Sequence, residues 1–332
     1  MPQIIATLWP STNTPEILKE LYQNWVRILR FNFTHETKET ALERISIIEQ
    51  VEKEIDGKFQ LMMDIEWPSI RTWIIKEPRL YKKWEMFKLI VGNKTPEDND
   101  IWCDYPWIVD DVAVGSIIKI ESGLFDTVVR KKWSEYLLLE ALNEFTMTSK
   151  RHINLPGIHM DLPTITTKDK KNIAFALEVW FNQIAISFCR NAADISEVRD
   201  LIKNSNQIKL VAKIENQEGL DHLDEIIDSS DMIMVARGDL GTELAIERIP
   251  EIQMDIVKKC KLKHTPVIIA TQMLSSMVTS PAPTRAEVSD IFLAIIEGAD
   301  YLMLSEETTI GLHPVESVKM MNRVIAEVQN GR

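Results

Sequence analysis

Apolar residues along the chain gather in eight short runs, separated by longer stretches in which apolar positions recur at helical spacing. The runs occupy residues 3–8, 26–31, 59–63, 183–187, 208–214, 232–236, 266–270 and 301–304. Runs this short and this continuously apolar predict strands buried on both faces. All but the third lead fairly directly into helix-compatible sequence. Eight such repeats predict an α/β fold, a (β/α)8 TIM barrel whose chemistry lies at the carboxyl ends of the strands. After the third run comes 73–150, rich in β-branched and aromatic residues, with turn signals at Gly92-Asn93, Asp98-Asn99-Asp100 and Ser122-Gly123. This stretch predicts a small β-rich lid domain, with Trp73, Trp84, Trp102, Trp107 and Trp133 supplying a small core. Segments 1–72 and 151–332 then form the barrel, close to the roughly 250 residues usual for that fold.

The residues at the ends of the runs carry a consistent chemistry. In order they are Trp9-Pro10; Arg30, Asn32, Thr34 and His35; Asp64; Ser187 and Phe188; Lys213 and Glu215; Arg237 and Asp239; Thr271 and Gln272; Ser305 and Glu307. Between 208 and 241 two runs flank a helix expected over 219–230. The β-α-β connection sets the two strands parallel, so both charged ends emerge on one side of the sheet. Lys213 and Glu215, two residues apart, point the same way. Glu215 and Asp239 are hard oxygen donors suited to Mg²⁺, and Lys213 would neutralise an anion that the metal also holds. Gly238 and Gly241 would let backbone amides approach an anion where a helix begins. A lone Lys-x-Glu reads as an ordinary salt bridge; Arg237-Gly238-Asp239 one strand later turns the reading toward a site.

Arg30 would hold a phosphate bidentately. The hydroxyls of Thr271 and Ser305 would pass a proton, through water, to a carbon of a metal-bound substrate. Thr284, followed three residues later by Glu287, makes a capping box, a structural role. Asn32, Thr34 and Asp64 suit either a monovalent cation or structural hydrogen bonding.

Net charge of −12, from 38 basic and 50 acidic residues, argues against nucleic-acid binding and against an anionic membrane surface. Cys103, Cys189 and Cys260 show no CxxC spacing, so reduced thiols are expected and a Zn²⁺ site is not. With no signal-like N-terminus and no run long enough to span a bilayer, a cytoplasmic protein is expected.

Five segments carry a resemblance to a known family: RFNFTH at 30–35, KIENQEG at 213–219, MVARGDLG at 234–241, ATQML at 270–274 and PTRAE at 283–287. Motif by motif and in order, they resemble the pyruvate kinases. That resemblance implies phosphoryl transfer from phosphoenolpyruvate to ADP, giving pyruvate and ATP, the last step of glycolysis. It implies Mg²⁺ or Mn²⁺ on Glu215 and Asp239, and K⁺ on Asn32, Thr34, Asp64 and Ile65. It places Arg30, Lys213, Ser187, Ala236, Arg237, Gly238, Asp239 and Thr271 at the substrate, with Arg30, Lys213, Thr271 and Ser305 catalytic. Pro10, His35, Arg71 and Arg151 fall near the nucleotide. A homo-oligomer through the barrel also follows. The chain stops at Arg332, so no C-terminal regulatory domain is expected, and hyperbolic kinetics without sugar-phosphate activation would follow.

Departures from the family pattern cluster on the nucleotide side. The family's TIGP is Thr7-Leu8-Trp9-Pro10, its DTKGPEIR is 64–71 with Glu66, Trp67 and Ser69, and its SGETAKG is 305–311 with Glu306 and Ile310. The lid's DDGL is Glu121-Ser122-Gly123-Leu124. Two glycines are thus tryptophan, one is glutamate, and two lysines are Glu66 and Ile310. These exchanges keep two other readings open: a metal-dependent enolate lyase, such as an aldolase or oxaloacetate decarboxylase, and a non-catalytic paralogue with an eroded nucleotide site.

Overall fold

The computed structural model describes residues 1–66, 70–75, 77–91, 100–121, 123–160, 162–203, 205 and 207–331. The turn signals at Gly92-Asn93 and Asp98-Asn99, and the exchanges at Trp67, Ser69 and Ser122, lie outside them.

Eight parallel strands close a barrel in chain order: β1 (Gln3–Thr7), β2 (Val26–Asn32), β3 (Gln60–Asp64), β4 (Gln183–Ile186), β5 (Lys209–Ile214), β6 (Met232–Ala236), β7 (Val267–Ala270) and β8 (Tyr301–Leu304). β1 pairs with β2 on one side and β8 on the other, which completes the ring. Alternation along each strand divides the core into two layers. Ile5, Ile28, Met62, Val211, Met232, Met234, Ile268 and Met303 point inward and fill the barrel. Their neighbours Ile4, Leu29, Met63, Leu210, Ile233, Val235, Ile269 and Leu302 point outward and pack under the helices. Unbranched methionines suit the irregular gaps inside a closed barrel.

Six helix entries have a local cause. Thr14, Thr37, Thr166, Asn191, Asn216 and Thr284 are N-caps whose side chains accept backbone N–H bonds. The expected capping box at Thr284 and Glu287 is present, and Glu287 also receives the amide and hydroxyl of Ser276. The helix expected over 219–230 is instead two short ones, Gln217–Asp221 and Leu223–Ser229, broken at His222.

Between β3 and β4 the chain builds a second, seven-stranded and mostly antiparallel sheet, plus a two-stranded ribbon. Its strands Ile70–Arg71 and His152–Asn154 pair with each other where the chain leaves and rejoins the barrel, beyond 73–150 on both sides. This sheet has its own core, built from Tyr81, Phe87, Leu89, Ile118, Ile120, Phe125, Val129, Leu137 and Leu139. The tryptophans are not that core: Trp73, Trp84, Trp107 and Trp133 are exposed, and Trp102 is half-buried. Period-two alternation fills the inner face with branched aliphatic and phenylalanine side chains, which leaves the indoles at turns and edges. A buried hydrogen bond from Asn154 Nδ2 to Glu243 Oε1, 2.9 Å, ties the returning strand to the barrel. Among the described residues, no helix is long and apolar enough to cross a membrane.

Candidate active site

At the carboxyl end of the barrel the ends of β2, β4 and β5 bring three side chains, Arg30, Ser187 and Lys213, together around Asp64 at the end of β3. Asn32, Asp64 and Ala185 are consecutive register partners across β2, β3 and β4, so these strand ends lie level. Arg30 Nε donates to Asp64 Oδ2 at 2.7 Å, and Arg30 Nη1 to Thr7 Oγ1 at 3.0 Å. Lys213 Nζ donates to Asp64 Oδ1 at 3.2 Å and to Ser187 Oγ at 2.8 Å. The Ser187 hydroxyl lies 2.9 Å from the carbonyl of Ile65, to which it donates. Burial disfavours charge on Asp64, but Lys213 and Arg30 outweigh it and hold the carboxyl below its ordinary range. Burial likewise opposes the Lys213 ammonium, and Asp64 and Glu215 more than offset it, so the lysine stays charged.

Glu215 stands beside this cluster, fully buried. Its Oε2 accepts the Phe188 N–H at 2.7 Å, which is aimed by a left-handed turn, φ 51°, at Phe188. Lys213 Nζ lies 3.0 Å from Oε1, yet that oxygen accepts no aligned hydrogen bond among the described residues. Burial pushes the Glu215 carboxyl up to about 7, and the nearby Asp239 and Asp64 charges add to the rise against Lys213 and the Phe188 amide. Asp239 is exposed on the first turn of the helix Arg237–Glu243. Three carboxylates, Asp64, Glu215 and Asp239, thus face two cations, Arg30 and Lys213. An orphaned buried oxygen, a second open carboxylate and a net negative charge fit a small divalent cation.

The β6 and β7 ends are coupled differently from expectation. The guanidinium of Arg237 turns away from the cluster: Nη1 bonds both oxygens of Asp290 at 2.7 and 2.8 Å, and Nη2 donates to the Thr271 carbonyl at 2.7 Å. Arg237 therefore holds the β7 loop rather than presenting charge to a ligand. That loop is bent, with Thr271 at φ 69° and Gln272 at φ 54°, a rare conformation for a β-branched residue. Thr271 Oγ1 accepts the Gly238 N–H at 2.8 Å, so its own proton remains available to a ligand. The same bond occupies one of the amides expected to meet an anion. Ala236 is buried inside the barrel and can offer only its backbone. Ser305 Oγ is buried without a hydrogen-bond partner among the described residues, while Glu307 clamps the turn by accepting the amides of Ser305 and Leu274 at 2.8 Å each.

Of the set Asn32, Thr34, Asp64 and Ile65, the oxygens of three already meet partners. Asn32 Oδ1 accepts the Thr34 amide, the Ile65 carbonyl accepts Ser187, and Asp64 holds Arg30 and Lys213. Among the described residues, none of their side-chain oxygens is a fully buried atom without a partner.

Four residues expected at the nucleotide are on the periphery. Pro10 and His35 are exposed on the loops after β1 and β2. Arg151 pairs with Glu121 at 2.6 Å, and Arg71 donates to the Lys150 carbonyl at 3.2 Å, both on the inserted sheet. Glu66, which reverses a family lysine, forms an ion pair with Lys168 at 2.6 Å, so its charge is met locally. His152, on the returning strand, lies within electrostatic reach of Arg71, Asp239, Glu121 and Glu66; burial, then Arg71, holds it below the ordinary histidine range. Sequence reasoning missed Thr7, the Phe188 amide, Asp290 and His152, because each acts through a fold-dependent contact without a motif. A cavity of about 1010 Å³ lined by Met1, Trp25, Arg27 and Lys319 lies at the amino end of the barrel and contains none of the clustered groups.

Fold and site together define a (β/α)8-barrel protein with a lysine–carboxylate centre at its carboxyl face. The family described as "Pyruvate kinase, barrel domain" matches residues 1–318. The pyruvate kinase of Geobacillus stearothermophilus is 38% identical over 330 residues, covering 97% of this chain and 56% of that protein. The pyruvate kinase of Borreliella burgdorferi is 38% identical over 335 residues, covering 100% of this chain and 69% of its own length. A crystal structure of a pyruvate kinase from Cryptosporidium parvum superposes with a TM-score of 0.95 at 35% identity, covering 99% of this chain and 69% of that one. The chain belongs to the pyruvate kinase family. It spans just over half the length of the Geobacillus relative.

Proposed function

We propose that this chain transfers the phosphoryl group of phosphoenolpyruvate to ADP, giving pyruvate and ATP. The observation that carries the reading is the buried Lys213 ammonium, held between Asp64, Ser187 and Glu215 beside Arg30. Loose phosphoryl transfer asks for fixed positive charge and alignment rather than covalent chemistry. Arg30 is pinned by Asp64 and Thr7, so its remaining N–H groups meet a phosphoryl oxygen without reorganising. Lys213 directs two N–H bonds at Asp64 and Ser187 and keeps the third for the transferring group. Glu215 and Asp239 would hold Mg²⁺ or Mn²⁺, which when bound offsets the excess negative charge and the charge of the substrate. The hydroxyls of Thr271 and Ser305 would deliver a proton to the enolate carbon, Thr271 fixed by the Gly238 amide and Ser305 with no hydrogen-bond partner among the described residues. The inserted sheet would act as a lid that excludes water from the phosphoryl group.

The same reading places ADP at the rim formed by Pro10, His35, Arg71 and Arg151, and K⁺ near Asn32, Thr34, Asp64 and Ile65, though no step above depends on K⁺. It also places the protein in the cytoplasm, in glycolysis. Association through the barrel is supported by Phe292, Leu293 and Ile296, which stand exposed on the helix Arg285–Glu297. An enolate lyase would use Glu215 and Asp239 but leave the family-wide likeness without a role, and is not favoured. The test is direct binding of Mn²⁺ followed by its electron paramagnetic resonance signal. Glu215→Gln and Asp239→Asn should each weaken Mn²⁺ binding at least tenfold and abolish phosphoenolpyruvate turnover. Unchanged Mn²⁺ affinity in both variants would refute the metal assignment.

A further inference from the structure

Four of the nine tryptophans of this chain stand where the backbone favours glycine, in a region that six other non-glycine residues, among the described ones, also occupy. Trp9, Trp25, Trp84 and Trp180 have φ of 70°, 66°, 71° and 61°, all in the left-handed region that a bulky side chain rarely enters. Asparagine and aspartate are the side chains that usually tolerate this region, yet none of either is found there among the described residues. All four indoles are exposed, so burial does not offset the strain.

Each position has a known glycine geometry. Trp180 follows the helix Thr167–Glu178 and its cap Val179, and the next amide, Phe181 N–H, donates to the Ala176 carbonyl at 3.0 Å. That is the helix-ending motif whose left-handed residue is ordinarily glycine. Two other helices end with the same bond: Arg285–Glu297, with Ala299 N–H to the Ala294 carbonyl at 3.0 Å and Gly298 as its left-handed residue, and Ile249–Leu262, with Thr265 N–H to the Cys260 carbonyl at 3.0 Å and His264 in that place. Trp25 occupies the corresponding place after the helix Pro15–Gln23 and its cap Asn24. Trp84 is third in the turn closed by Glu85 N–H to the Lys82 carbonyl at 3.0 Å, where a positive φ after an ordinary Lys83 selects glycine. Trp9 stands at the glycine of the TIGP pattern. Composition agrees: 11 glycines in 332 residues fall well short of the roughly 7% usual in proteins, and nine tryptophans stand beside that deficit.

We infer that positions 9, 25, 84 and 180 are glycine in the protein as its native cell makes it, through a codon that this sequence renders as tryptophan. UGA is such a codon: a stop in the standard code, it is reassigned to different amino acids in different decoding systems. The left-handed backbone at these positions is independent of the proposed activity. At position 9 it bears on that activity, because an indole at the carboxyl end of β1, next to Pro10, would give way to open space on the acceptor side.

Two measurements test this. Peptide mass spectrometry of the protein purified from its native cells should find glycine at the four positions; tryptophan there overturns the inference. In protein made with tryptophan throughout, Trp25→Gly, Trp84→Gly and Trp180→Gly should each raise the melting midpoint by roughly 2 °C, from relief of left-handed strain. The matching alanine variants, which keep the strain, should not. Midpoints that fall in all three glycine variants would equally overturn it. Loss of the proposed kinase activity in every form would leave this inference standing and sink the functional reading alone.

Discussion

Arg237 separates two accounts of the β6–β7 region, and Asp290 is the lever. Removing the guanidinium by Arg237→Met takes away both bonds to Asp290 and the bond to the Thr271 carbonyl. Breaking a fully buried pair from one side costs about 3–5 kcal/mol. Asp290 is one-third exposed and would be partly rehydrated, so about 2–3 kcal/mol is the expected loss. Against a total stability of roughly 5–15 kcal/mol the variant should stay folded, with a melting midpoint lower by roughly 3–6 °C. Thr271, no longer held at φ 69°, should drift, and misplacement of about 1 Å at a reacting group lowers turnover on the order of 100-fold. The partner variant, Asp290→Asn, leaves every group facing the substrate in place. If Arg237 acts by position, Asp290→Asn should reproduce much of the kcat loss with little change in KM for phosphoenolpyruvate, and the double variant should be no worse than Arg237→Met. Full activity in Asp290→Asn beside a large rise in KM in Arg237→Met would show that the arginine meets the substrate, and would refute the positioning role.

Three further outcomes follow from particular contacts. A Cβ at Gly219 would meet the Cys189 carbonyl at 2.5 Å, so Gly219→Ala should lower stability by about 2 kcal/mol in a denaturant titration and, by moving the Phe188 turn, weaken metal binding at Glu215. Burial pushes the thiols of Cys103 and Cys260 up to about 12 and raises Cys189 as well. A disulfide reagent at pH 8 should therefore titrate none of the three in the native protein and all three after unfolding; rapid native reaction would contradict the burial. Because Glu66 pairs with Lys168 at the surface, Glu66→Lys should lower stability by no more than about 1 kcal/mol, and Lys168→Glu in the same chain should restore it.

Much of the catalytic half was legible because strand periodicity converts spacing into direction. Lys213 and Glu215 share a face by being two apart, and parallel β5 and β6 bring Asp239 to the same end. The barrel followed from eight runs and their helices. What sequence could not reach is how a carboxylate divides its partners after closure. Asp64 suited a cation by type, but β3 sits between β2 and β4, so Arg30 and Lys213 reach it from either side. Arg237 looked like a substrate group, yet as the first residue of a helix its side chain swings to Asp290 on another helix. The Phe188 amide reaches Glu215 only through a left-handed turn, and a phenylalanine gives no sign of one. The insert's tryptophans misled for the opposite reason: their size suggested a core, while their positions belong to turns and a sheet edge.

The central claim is that Lys213, Arg30, Glu215 and Asp239 move a phosphoryl group to ADP. The most direct measurement is pyruvate formation from phosphoenolpyruvate with Mg²⁺ and K⁺, with and without ADP, in the unsubstituted protein and in Lys213→Met. The account predicts pyruvate that requires ADP, appears with equal ATP, and falls by at least 100-fold in Lys213→Met. Pyruvate formed equally without ADP, or undiminished without the lysine, would contradict it.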